Sequence, residues 1–530
     1  GNYTEQTINT SYSLPYKQVI GSNKLLTNRY DSLGRKIFAS NVSSDDGHVY
    51  SYDSLNRIVS DCFSNNVNAC TRHEYLNNNT HKITFPNNEY KILTSIAYGS
   101  PDNSKVINIK EDNRETNISR DDLGFVTAVK QGKVSKQYFY DKDYNLIKYI
   151  EPETGITEIT YDAAGKILEK KRGNNFTKFI YDPANYRLSK TEYSDSSPFE
   201  QYSYDKNGNI TQATKGRIKW DYNYDALDRL IAETLHVGGS IAAQGVEYHY
   251  NEYGHLDSLI YPDKTKVALE PDEYGRATKL GDYVNNIKYH PNDYWQSMNL
   301  ANQSVSTGLD VYNRVSSFNY GNIKLDYLYD LNNNLANLKM MDASAPDYNY
   351  NYNFDYDLSG RLIATNIGST GIVYQYDQND NITNIKTSYA GETSKNESST
   401  LGFNYDNMRL ASLNSLEQDN KISKSSKLNQ TLFYDQLGNI RADGNNRYVY
   451  GVDGNMTAVA GLQNGEFGYD HNQNRIYQDT KTLNSKTESI SFYNKAGIML
   501  YEYNLTTNKT TKFLHLGNNK VVKITSDAKT

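Results

Sequence analysis

The sequence predicts an all-β chain of repeated hairpins, on three observations. Tyr-Asp recurs 13 times in 530 residues. The 49 Tyr and 62 acidic residues would give about six copies by chance, even if every acidic residue were Asp. The residue four after the Tyr is Gly, Asn or Asp in most copies. The segments flanking these turns alternate apolar and polar residues, the period of a half-buried strand.

The clearest copies begin at Tyr30-Asp31, Tyr52-Asp53, Tyr161-Asp162, Tyr204-Asp205, Tyr224-Asp225, Tyr356-Asp357 and Tyr434-Asp435. Their fourth positions are Gly34, Asn56, Gly165, Gly208, Asp228, Gly360 and Gly438, and Asn185, Asn333 and Asp380 continue the series. Copies without the Tyr-Asp pair keep Gly124, Gly254, Gly275, Gly454 and Gly497 there. These residue types tolerate a left-handed backbone. An Asp two or three residues earlier bonds forward to backbone N–H groups. The expected loop is a type I turn followed by a left-handed residue. Some copies should differ locally. Tyr144 stands at the fourth position of one, Tyr405 begins a loop one residue short, and the loops after Tyr181 and Tyr469 read one residue long.

Intervals cluster at 20 to 22 residues. A second turn falls between copies, as in SDDGH at Ser44, PETGI at Pro152, RGNNF at Arg172 and SDSSP at Ser194. Each unit is therefore two strands and two turns, with roughly 6 residues per strand. The best helix candidate, GGSIAAQG from Gly238, is cut short by its own glycines. The stretches from Ser388 and from Glu417 read as long polar loops. The copies between about Gly238 and Asn322 are the most degenerate, with no composition shift to mark a separate domain. The chain reads as one continuous repeat region over 1–530, residues 1–29 being leading strands.

Composition suits a thin wall better than a thick core. Hydrophobic residues make up 37% and mean hydropathy is −0.78, yet the many Tyr bring an apolar body with a wet tip. A net charge of −6 argues against a nucleic-acid surface, and Lys170, Lys171 and Arg172 read as a solvated strand face. No run of about 18 apolar residues is present, so no transmembrane helix is expected. Cys62 and Cys70 lack zinc-site spacing. They flank one of the second turns and fit either a disulfide across it or two free thiols.

Catalytic signals are weak beside their structural explanations. Asp at the start of a turn is a turn former. The loops at Asp205 and Asp377 resemble calcium loops but lack the sixth-position Gly and the closing Glu. The nine His residues form no His-x-x-x-His pair, and no phosphate loop or nucleophile elbow occurs. No catalytic residue, cofactor or metal is expected.

YDSLGRKI, YDAAGKIL, YDKNGNIT, YDALDRLI, YDLSGRLI, YDQLGNIR and YGVDGNMT resemble the YD-repeat, or Rhs, proteins from about Tyr30 to Gly517. FLHLGNNKVV from Phe513 is similar to the strand that ends the repeat region in many members. The resemblance implies hairpins paired edge to edge in a long spiralling sheet, part or all of a hollow shell. In bacterial members, such as Tc toxin C components and polymorphic toxins, that shell encloses a C-terminal toxin, often released by cleavage at an Asp-Pro-x-Gly-Leu core. No such core occurs here, so self-cleavage maps to no residue, and a fragment or a member without the core is expected. The triplets NIT at Asn209 and Asn381 and NMT at Asn455 fit the glycosylation pattern but lie in the turn-to-strand step, where a glycan would crowd the neighbouring hairpin, which favours a bacterial origin over a teneurin-like one.

The expected function is a non-enzymatic scaffold that encapsulates and delivers a C-terminal toxin domain. The alternative is a cell-surface adhesion or carbohydrate-binding module. The expected partners are the toxin domain of the same polypeptide or its precursor and a delivery component, with no nucleic acid and no membrane span. The expected location is outside the producing cell, by secretion or at its surface.

Overall fold

The structure is a computed structural model that describes residues 4–9, 14–20, 24–42, 44–98, 100–111, 114–239, 241–390, 396–418 and 427–527. Strand accounts for 63% of the chain. The one helical element among the described residues is a 3-10 turn at Pro346–Tyr348. The fold is thus all-β, made of long antiparallel sheets of consecutive hairpins.

One hairpin shows how the sequence builds the rest. Strand Gly155–Tyr161 pairs antiparallel with Ile167–Arg172, and the register shifts just before Tyr161. In the loop, Gly165 N–H donates to Asp162 O at 3.1 Å and Asp162 N–H to Lys166 O at 2.9 Å. Gly165 has φ +80°. This is a type I turn closed by a left-handed residue. Asp162 Oδ1 fixes it further, accepting from the N–H groups of Ala164 and Lys166 at 2.9 Å each. The same turn forms where the fourth residue carries a side chain, with φ of 63° at Asn56, 59° at Asp228 and 68° at Asp380.

Four loops correct the sequence reading or refine it. Tyr144 adopts φ +62° and its N–H reaches Asp141 O at 3.2 Å, so this loop keeps the common turn despite its bulky residue. The loop after Tyr469 is of standard length, not long, with Gln473 left-handed at φ +63°. The loop after Tyr181 is one residue longer, and Tyr186 rather than Asn185 is left-handed at φ +60°. The short loop after Tyr405 places both Asn407 and Met408 at positive φ, the two-residue type I′ solution. The polar stretch from Ser388 is largely ladder: Ser388 pairs with Ser398 and Tyr389 with Glu397. Its centre, 391–395, and residues 419–426 of the second polar stretch lie outside the described residues.

The strands gather into two compact units, Gly1–Lys136 with Val284–Met408 and Leu413–Asn429, and Gln137–Tyr283 with Arg409–Ser412 and Gln430–Thr530. The sequence shows no boundary because the same hairpin frame runs through both. In the first unit, strands such as Arg114–Arg120 bury alternate residues only halfway. In the second, strand Ile218–Tyr224 buries Ile218, Trp220 and Tyr222 fully on one face. Trp220 meets the edge of Phe492 with ring centroids 4.9 Å apart.

Candidate functional site

The repeated turns form one site many times over. The Tyr of most copies reaches back to the preceding hairpin. The Tyr161 hydroxyl donates to Leu146 O at 2.9 Å, Tyr181 to Ile167 O at 2.9 Å, Tyr224 to Ile210 O at 3.0 Å and Tyr376 to Leu362 O at 2.7 Å. The accepting carbonyl is the first after the preceding turn, so these hydroxyls are rungs that set the spacing of successive hairpins. Tyr52 and Tyr356 act alike, on Lys36 O and Leu335 O, as do Tyr204 and Tyr434, on Leu188 O and Leu410 O. In the FLHLG strand His515 Nε2 takes the place of the hydroxyl, 2.8 Å from Met499 O.

The residue five after the Tyr carries a second link. Arg35 Nε donates to Asp31 Oδ2 at 2.7 Å, and its Nη1 to Asn56 Oδ1 of the next turn at 2.9 Å. Its guanidinium lies 4.8 Å from the Tyr52 ring centre. Arg361 repeats this with Asp357, Asp380 and Tyr376. Gly34 and Asn56 are therefore equivalent in backbone but not in contacts, since Asn56 accepts a hydrogen bond that Gly34 cannot. At Gly208 the neighbour is Arg187, and a Cβ there would come within 2.7 Å of its Nη2. Asp225 is held below the ordinary carboxylate range, chiefly by the hydrogen bond from Arg229. Asn209, Asn381 and Asn455 each spend the side-chain amide on a turn Asp, at 3.0, 3.0 and 2.8 Å.

Sequence reasoning missed a buried ionic network in the second unit. Lys215 Nζ lies 3.1 Å from Glu200 Oε1 and 2.8 Å from Asp453 Oδ2. All three side chains are nearly sealed from water, at 3%, 8% and 3% exposure. The Tyr193 and Tyr202 hydroxyls donate to the two oxygens of Glu200 at 2.8 and 2.9 Å. Burial first, and then Glu200, pushes both phenols far up. Asp470, itself a turn Asp, accepts from Trp220 Nε1 at 3.1 Å. Lys512 binds Asp263 at 2.8 Å. The signal available in the sequence was slight: Lys215 and Lys512 are isolated cations in otherwise uncharged strand faces.

Glu233 is buried completely. Burial pushes its carboxyl up to about 7, against the opposing pull of the Tyr248 hydroxyl and of Lys495. Its Oε2 finds no hydrogen-bond partner among the described residues. Beside Lys215 a cavity of about 450 Å³ is lined by Arg217, Asp453, Asn455, Tyr469 and Tyr477. In the first unit a cleft of about 590 Å³ is lined by Phe85, Glu89, Tyr90, Lys91, Asn332 and Asn333. Every oxygen of the Lys215 network is occupied by a donor within the protein, which makes it a clamp between distant strands. Cys62 and Cys70 face each other across neighbouring strands and are disulfide-bonded, with Cα atoms 4.0 Å apart. Among the described residues, no three His, Cys, Asp or Glu gather around a point that could hold a metal ion. No helix there is long and apolar enough to cross a membrane.

No protein-family model matches the chain, and no curated protein matches it in sequence. Solved structures do match. TcdB2-TccC3 without its hypervariable C-terminal region aligns with a TM-score of 0.65 and 11% identity, over 100% of this chain and 31% of that one. TcdB2-TccC3-Cdc42 gives a TM-score of 0.65 and 11% identity, over 100% and 32%. The Photorhabdus luminescens Tc holotoxin pore carrying a TccC3 mutation gives 0.56 and 10%, over 100% and 32%. The chain spans about a third of the length of the chains it matches, and the likeness is one of fold.

Proposed function

We propose that this chain is the wall of a toxin container: a non-enzymatic shell scaffold that holds a C-terminal effector of the same polypeptide or its precursor until delivery. The observation that carries the reading is the match of the whole chain to TcdB2-TccC3, a Tc toxin assembly with a hypervariable C-terminal region. The repeated turn supports it. Tyr rungs and Arg links stack hairpins into a wall whose length grows with copy number, without needing a thick core. The half-buried Tyr faces offer contact to a polypeptide of any sequence, since the ring is amphipathic and makes no sequence-specific demand. Delivery places the protein outside the cell that makes it, where the Cys62–Cys70 disulfide would persist.

The test compares two expressed forms in bacteria, one ending at Thr530 and one running to the natural C-terminus. The reading expects the short form to be harmless and any toxicity to follow the added residues. Toxicity or hydrolase activity in the short form would show that the wall itself is an enzyme.

A further inference from the structure

The Lys215 network brings one amine and two carboxyls together out of water, from distant parts of the second unit. Strand Glu200–Tyr204 pairs with Ile210–Lys215, and the register sets Glu200 directly opposite Lys215. Asp453 comes from the turn that Gly454 N–H closes on Gly451 O at 2.9 Å, more than two hundred residues further along the chain. Lys215 Nζ lies 2.8 Å from Asp453 Oδ2 and 3.1 Å from Glu200 Oε1. A carboxyl carbon stands one bond beyond its oxygen, so Nζ is about 3–4 Å from Asp453 Cγ, near the reacting separation of about 3–3.5 Å.

The two carboxyls are held in different ways. Asp453 Oδ1 accepts from the Asn455 N–H at 3.1 Å, and Oδ2 from the Asn455 side-chain amide at 2.8 Å. Those donors draw electron density from Cγ and stabilise negative charge developing on its oxygens. Glu200 is gripped by the Tyr193 and Tyr202 hydroxyls, which hold its Oε1 against Nζ. The Tyr193 ring centre lies 5.6 Å from Nζ, and the buried Ile218 and Trp220 follow on the next strand. In such surroundings an ammonium–carboxylate pair lies close in energy to the neutral amine and carboxylic acid, because the charges have lost their hydration. The cavity lined by Lys215 and Asp453 gives a released water a place to go. Lys512 marks the contrast: it bonds Asp263 and Thr265, with no second carboxylate at hydrogen-bond distance among the described residues.

We propose that Lys215 and Asp453 condense into an intramolecular isopeptide bond, with Glu200 as the catalytic residue that carries the proton. One Nζ proton passes to the Asp453 carboxylate, and the freed Nζ lone pair attacks Cγ. Glu200 takes a second Nζ proton and hands it to the departing hydroxyl. The Nζ–Cγ bond forms, the Cγ–Oδ2 bond breaks, one water leaves, and nothing is oxidised or reduced. The reaction consumes its own side chains, so it runs once per chain and leaves no turnover for other substrates. The product joins the hairpin of Lys215 to the turn of Asp453 covalently, a lock inside the second unit.

Mass spectrometry of the full chain with Cys62–Cys70 reduced tests this. The expected mass is one water below that of the sequence. After denaturation, trypsin should release a branched peptide that joins the segment of Lys215 to that of Asp453, uncut after Lys215 but cut after Lys512. Asp453→Ala should restore the full mass, and Glu200→Gln should slow bond formation by about a hundredfold or more. Undiminished bonding in Glu200→Gln would overturn the role of Glu200. Should a variant fail to fold, the wild-type peptides alone decide. A wild-type chain at full sequence mass and cut after Lys215 would leave the network an ion pair and overturn the proposal. So would a water lost as a succinimide at Asp453-Gly454, which leaves Lys215 open to trypsin.

Discussion

Among the described residues, apolar burial is uneven between the two units: the first unit buries seven apolar side chains, Phe38, Phe63, Cys70, Val284, Ile287, Met298 and Val305. The second buries twenty, among them Trp220, Leu235, Val246, Ile476, Phe492 and Leu514. Among the described residues, the buried charged residues Glu200, Lys215, Glu233, Asp470 and Lys512, with the sealed Asp453 side chain, also belong to the second. The turns are the same in both, so the hairpin frame does not set how much a region buries. The frame needs only hydroxyl rungs, turn carboxylates and half-buried faces. The second unit adds a true core on top of it, and with the core come ionic clamps that are costly to break.

The largest expected effect separates a sealed ion pair from one at the turn rim. Lys215→Ala leaves Glu200 and Asp453 buried without their cation and should cost about 3–5 kcal/mol. Arg361→Ala removes a partly exposed link to Asp357 and Asp380 in the first unit and should cost about 1 kcal/mol or less. Urea titration of both variants checks the contrast, and similar losses would dissolve it.

Glu233 gives the second contrast. Its folded-state value of about 7 lies above the unfolded carboxylate, so the folded state binds the extra proton in between. Its contribution is most favourable below pH 4.5, falls as pH rises toward 7 and levels off above. The change is on the order of 3 kcal/mol. His471, pushed down mainly by burial, acts in the opposite sense by losing stability as pH falls. The difference between wild type and Glu233→Gln isolates the carboxyl: from pH 5 to 8 wild type should lose stability relative to the variant. Parallel pH profiles would place Glu233 in contact with water.

The rungs should be alike in both units. Tyr161→Phe and Tyr329→Phe each remove one hydroxyl-to-carbonyl bond, to Leu146 O and Val315 O, and should cost about 0.5–1.5 kcal/mol. A rung that mattered in only one unit would show that the frame is not shared.

Turn chemistry was legible because each loop is local. Gly165 and Asp228 announce left-handed backbone by residue type, and Asp162 and Asp225 announce the bonds that close the loop. Tyr144 and Gln473 were misread because the flanking ladder forces the same φ on residues with no preference for it. The rungs were hidden because Tyr161 and Leu146 O meet only once two hairpins are paired, and sequence alternation does not specify which carbonyl a hydroxyl meets. Lys215, Glu200 and Asp453 were hidden for a stronger version of that reason, with Asp453 more than two hundred residues from either partner.

Small-angle scattering of the isolated chain tests the container reading most directly. A compact protein of 530 residues has a radius of gyration near about 24 Å. A wall around a lumen carries its mass away from the centre, so the account predicts a clearly larger value and a distance distribution displaced toward long vectors. A radius at the compact value, with a distribution of a filled globule, would contradict it.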